Sequence, residues 1–172
     1  EATNGLGAIM MFVDVGKIEL VDPSRAKKGS LLICDTLYES SPMFLFSFND
    51  EIHGFELAAG QDGGFLHRSL GVGETNRYLL AKEFNLEVDV SEEFRVTPNR
   101  ANTFPGHVVL SEAGPCFVVK EKNHSTMFIN LAGDLERNIS DTKIVGFARW
   151  QLTVPGVGKE RHVIYEAGTV DA

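Results

Sequence analysis

Residues Thr142 to Val154 read TKIVGFARWQLTV, and the way this stretch alternates decides the class of fold. Every second residue gives one row of Ile144, Gly146, Ala148, Trp150, Leu152 and Val154, all apolar or small. The intervening row is Lys143, Val145, Phe147, Arg149, Gln151 and Thr153. A period of two is the signature of a strand with one face in the core and the other in water. The expectation is therefore one long strand with Trp150 on its buried face. The turn Pro155-Gly156-Val157-Gly158 and the apolar run RHVIYEAG follow, which predicts that this strand is half of a hairpin.

Working outward from that hairpin, the same reading repeats along the chain. AIMMFVDV and KIELV are extended pieces hinged at Gly16, and Asp22-Pro23-Ser24 breaks the pattern. LLICDTLY is a candidate buried strand. MFLFSF and IHGFELAA are predicted to pair through the turn residues Asn49 and Asp50. Leu86, Val88 and Val90 alternate with Glu87 and Asp89 as a half-buried strand, and Glu92-Glu93-Phe94 reads as a helical turn or a connector. HVVLS, CFVVKEK and TMFINL supply three more strands, the last two joined as a hairpin through Lys122 to Ser125. Thr75 as a helix N-cap, followed by good helix formers, predicts one short helix at about residues 75–84. The sum is about nine to ten strands with one short helix and no strand–helix alternation. That pattern predicts a mainly β, antiparallel fold in residues 1–172 as a single β-rich domain, of β-sandwich, jelly-roll-like or barrel type.

MFLFSF places Phe44, Phe46 and Phe48 on one side and Met43 and Leu45 on the other. A strand apolar on both faces has to be covered on both. The expected second cover is either the glycine-rich stretch 60–73, which carries five glycines and shows no sustained period, or another subunit. The segment Thr97 to Gly106, with Pro98 and Pro105, is a second irregular stretch.

The chain has 172 residues, 43% hydrophobic and 23% charged, which is the composition of a globular domain large enough to need no disulfide or metal support. A formal charge of −8 with scattered basic residues speaks against a nucleic-acid partner, and the cluster Arg25, Lys27, Lys28 reads as a solvated turn. The longest apolar run, Ala8 to Val13, falls far short of the roughly 20 residues of a membrane span, so no membrane insertion is expected. Twelve Phe against three Tyr and one Trp make a core-forming aromatic inventory rather than a sugar- or base-stacking one.

Catalytic and cofactor motifs are absent from the sequence. No HxH, HExxH, CxxC or Gly-x-Ser-x-Gly occurs, and Gly71-Val72-Gly73 before Thr75 lacks the rest of a phosphate loop. The expectation is no catalytic residue and no cofactor. Its functional corollary is a non-enzymatic structural or assembly protein, a coat, tail or surface-complex type of subunit whose partners are other protein subunits, including copies of itself.

Two alternatives follow from other residues. FPGHVVLSE followed by GPCFVVKEKNH resembles in outline the way cupin barrels offer His and Glu from adjacent strands, without matching their spacing. That resemblance implies a small-ligand-binding or metal-dependent enzyme on a cupin-like β-barrel, with His107, Glu112 and His124 as metal ligands. The second alternative is a secreted β-sandwich recognition domain. It rests on a Cys34 to Cys116 bridge and on the glycosylation-type triplets at Asn123 and Asn138. The competing reading of the cysteines is two buried free thiols.

Overall fold

The computed structural model describes residues 13–22, 25–35, 42–57, 66–69, 78–96, 106–120, 126–137, 139 and 143–168. The strands are β1 (Ile18–Val21), β2 (Leu31–Asp35), β3 (Met43–Phe48), β4 (Glu51–Glu56), β5 (Leu66–Ser69), β6 (Tyr78–Ala81) and β7 (Asn85–Val88). They continue with β8 (Arg95–Val96), β9 (Val108–Ser111), β10 (Gly114–Lys120), β11 (Thr126–Asn130), β12 (Val145–Phe147), β13 (Trp150–Pro155) and β14 (Arg161–Ala167). The helical elements among the described residues are single 3-10 turns at Val15–Lys17 and Glu92–Phe94. None of these is long and apolar enough to cross a membrane.

A large sheet runs in the order β1-β6-β2-β3-β4-β5-β10-β9-β12-β8, with β11 on the other edge of β10, and a small sheet runs β14-β13-β7. Neighbours are antiparallel except at the single pair Lys120 with Leu66, where β5 meets β10 in parallel. The two sheets face one another in an open, sandwich-like arrangement rather than a closed barrel. The mainly β, antiparallel class expected from the alternation is the one observed.

The core between the sheets is aromatic. Phe44, Phe46, Phe55, Phe117 and Trp150 are each at most 1% exposed. Their rings form a continuous path, with Phe44 5.0 Å from Phe117, Phe117 5.5 Å from Trp150, and Trp150 5.3 Å from Tyr165. The path starts on the large sheet and ends on the small one. Centroid separations of this kind at tilted or edge-on angles are the favourable geometry for aromatic pairs. The indole Nε1–H of Trp150 donates to the Gly106 carbonyl at 2.9 Å, which satisfies its one polar atom.

Three expectations are corrected by this architecture. First, Thr142 to Val154 is two strands instead of one: β12 ends at Phe147, the chain bends at Ala148 and Arg149, and β13 begins in the other sheet. Both halves keep the expected alternation in outline, yet Phe147 and Thr153, assigned to the outer row, are buried. A strand that passes between packed sheets has to turn a corner, and the small residue Ala148 sits there.

Second, the helix expected at about 75–84 is β6 over Tyr78–Ala81, held between β1 and β2. Tyr78 and Leu80 pack with Val21, Leu32, Met43 and Leu45 on one face of the sheet. Four consecutive apolar residues suit a central strand covered on both sides as well as they suit a helix, and cross-strand pairing overrides the local propensity. Thr75 lies outside the described residues. Third, the glycine-rich stretch 60–73 contains β5, so part of it is sheet.

The two rows of MFLFSF find their covers within the chain. Phe44 and Phe46 enter the main core, while Met43 and Leu45 enter a second cluster with Val21, Leu32 and Tyr78 on the opposite face. The β3–β4 hairpin turns through Asn49 and Asp50 at φ of 51° and 64°, positive at both central residues as a type I′ turn requires. A third cluster, Val109, Cys116, Val118 and Ile144, lies on the far face of β9 and β10.

Candidate functional site

Among the described residues, the densest set of interacting charges lies on the outer face of the small sheet, and its geometry follows from register. Gln151 stands opposite Glu87 on β7 and Glu166 on β14. Its amide Nε2 donates to Glu87 Oε2 at 2.7 Å, and Arg161 donates to Glu87 Oε1. One step along, Arg149 at the corner between the sheets reaches Asp89 Oδ2 and Glu166 Oε1, both at 3.4 Å, and its guanidinium lies 5.3 Å over the ring of Phe94. The Arg149 carbonyl accepts from the Asp89 amide at 2.9 Å. The Asp89 carboxylate also accepts from the Ser91 hydroxyl at 2.6 Å and the Ser91 amide at 2.9 Å. Those two donors first, and Arg149 after them, hold the Asp89 carboxyl below the usual carboxylate range.

This arrangement fastens the corner between two sheets. Each carboxylate named is engaged by a guanidinium, an amide or a hydroxyl, and a shallow groove of about 380 Å³ runs between Glu87, Asp89, Arg149 and Glu166. The alternation of Thr142 to Val154 already put Arg149 and Gln151 on the outer row. Their partners on β7 and β14 depend on pairing between distant segments and have no local signal.

The residues of the metal reading do not converge. His107 precedes β9 and Glu112 follows it, so a strand of roughly 16 Å separates them at about 3.3 Å per residue. A shared ion needs its donor atoms within about 2.0 to 2.6 Å of one point. Glu112 instead pairs with Lys143 at 3.3 Å. His107 is half-buried, and desolvation lowers its pKa below the ordinary histidine value. His124 lies outside the described residues. Among the described residues no cluster of His, Cys, Asp and Glu can hold a metal ion.

Cys116 is a free thiol, buried on β10, so the bridge to Cys34 on which the recognition-domain reading rests is not formed. Burial first, and the nearby charge of Glu136 second, push its pKa up to about 11, which keeps it protonated and unreactive at neutral pH. Nothing is described of the Cys34 side chain, and Asn123 and Asn138 lie outside the described residues.

The exposed apolar side chains have a different distribution. Val15 is 81% exposed and Leu20 59% exposed, both at the β1 end of the large sheet. β1 is the terminal strand there, paired only with β6 among the described residues. Beside it a groove of about 560 Å³ is lined by Glu19, Leu20, Asp22, Arg25, Lys27 and Leu80. The basic cluster expected as a solvated turn borders this groove, and its third member, Lys28, pairs with Asp134 at 2.5 Å.

No protein-family model, no curated protein and no solved structure matches this chain.

Proposed function

We propose that the chain is a non-enzymatic structural subunit that works by contact with other protein subunits, copies of itself among them. The observation that carries this reading is the β1 end of the large sheet, where β1 is the terminal strand among the described residues. A terminal strand offers a row of backbone donors and acceptors to a further strand, and native sheets usually blunt such edges with charge or proline. Here the edge carries Leu20, 59% exposed, with Val15 beside it, 81% exposed. Alternating Leu20 with Glu19 gives an edge on which a partner strand would bury one apolar side chain and meet one charge. The two-faced strand β3 gives the proposal no support, because its own chain covers both rows.

Sedimentation velocity across a wide micromolar range tests the reading on the wild type and on Leu20→Lys. The expected outcome is concentration-dependent association of the wild type, with Leu20→Lys a folded single chain of unchanged melting temperature. Single-chain mass for the wild type at every concentration would sink self-association through this edge. The metal-dependent barrel finds no support in the open sheets or in the placement of His107 and Glu112 at opposite ends of β9.

A further inference from the structure

We draw no further inference here: the strongest candidate, the groove of about 510 Å³ between the Asn49–Asp50 turn, β11 and the Leu135–Arg137 segment, where Phe48, Met127, Phe128 and Leu135 alternate with polar residues, is a mixed surface for which nothing in the structure shows what covers it.

Discussion

Trp150 joins the two sheets through three contacts at once. Its ring touches Phe117 on the large sheet and Tyr165 on the small one, and its Nε1–H satisfies the Gly106 carbonyl. Trp150→Ala would remove the middle of the ring path and leave that carbonyl without its indole donor. The expected cost is about 3 to 5 kcal/mol, the range for truncating a large core aromatic. Urea unfolding of the variant measures it, and a change below about 1 kcal/mol would mean that the seam is not held by this ring. Thr153, three residues on, shows the opposite condition: its hydroxyl is buried without a hydrogen-bond partner, a local cost that the surrounding packing offsets.

At the scale of elements, two joints carry the architecture. The first is a backbone clasp around β3, where the Gly29 amide donates to the Leu45 carbonyl at 2.7 Å and the Ser47 amide to the Gly133 carbonyl at 2.8 Å. Gly133 has φ of +83°, and a Cβ there would lie 2.9 Å from both the Leu45 carbonyl oxygen and the Lys28 carbonyl carbon, with the Gly29 amide nitrogen closer still. Backbone cannot swing aside as a side chain does. Gly133→Ala is expected to destabilise by about 2 to 4 kcal/mol, combining left-handed strain with overpacking. A melting temperature equal to wild type would contradict the clasp.

The second joint is the Arg149 corner, and its pH dependence has a defined sign. The folded pKa of Asp89 is depressed, so its contribution is fully present above the unfolded value of about 3.9 and is lost as pH falls through the folded value. Asp89→Asn should therefore lower the melting temperature at neutral pH and flatten its decline on acidification below about pH 4. Because the Asp89 side chain is half-buried and keeps contact with solvent, the effect is expected to be small and to shrink with added salt. An acid limb of the same slope in wild type and variant would remove Asp89 from the account.

For the whole molecule, the decisive strand is β3. Phe46 is fully buried, with Phe55 at 6.0 Å and His53 at 6.0 Å between ring centroids. MFLFSF taken alone allows two outcomes for a charge at this position, unfolding or the release of folded monomers. Both rows of β3 are covered within the chain, so Phe46→Asp is expected to unfold the protein, because a carboxylate would be stranded in an aromatic core. Circular dichroism and sedimentation read the two outcomes apart. A folded monomeric Phe46→Asp variant would place an intersubunit contact on the face that holds the core.

Local pattern was enough for what depends on neighbours in sequence. The period-two alternation of Trp150, Leu152 and Val154 marked a buried strand face, and Asn49-Asp50 marked a hairpin turn whose positive φ angles the structure contains. Both features are written within a few residues. Local pattern could not show that β12 and β13 belong to different sheets, because Ala148 and Arg149 look like any other pair in an alternating run. It could not show that Tyr78–Ala81 is a strand, because that depends on β1 and β2 arriving on both sides. The candidate site divides in the same way. Arg149 and Gln151 were legible as outward-facing, while Glu87, Asp89 and Glu166 became their partners only through pairing across 15 to 64 residues of chain. His107 and Glu112 are close in sequence, but an extended backbone carries them to opposite ends of β9. Side-chain alternation is a property of the strand itself and is visible in sequence, whereas the choice of neighbouring strand is settled by long-range burial, which only the tertiary structure decides.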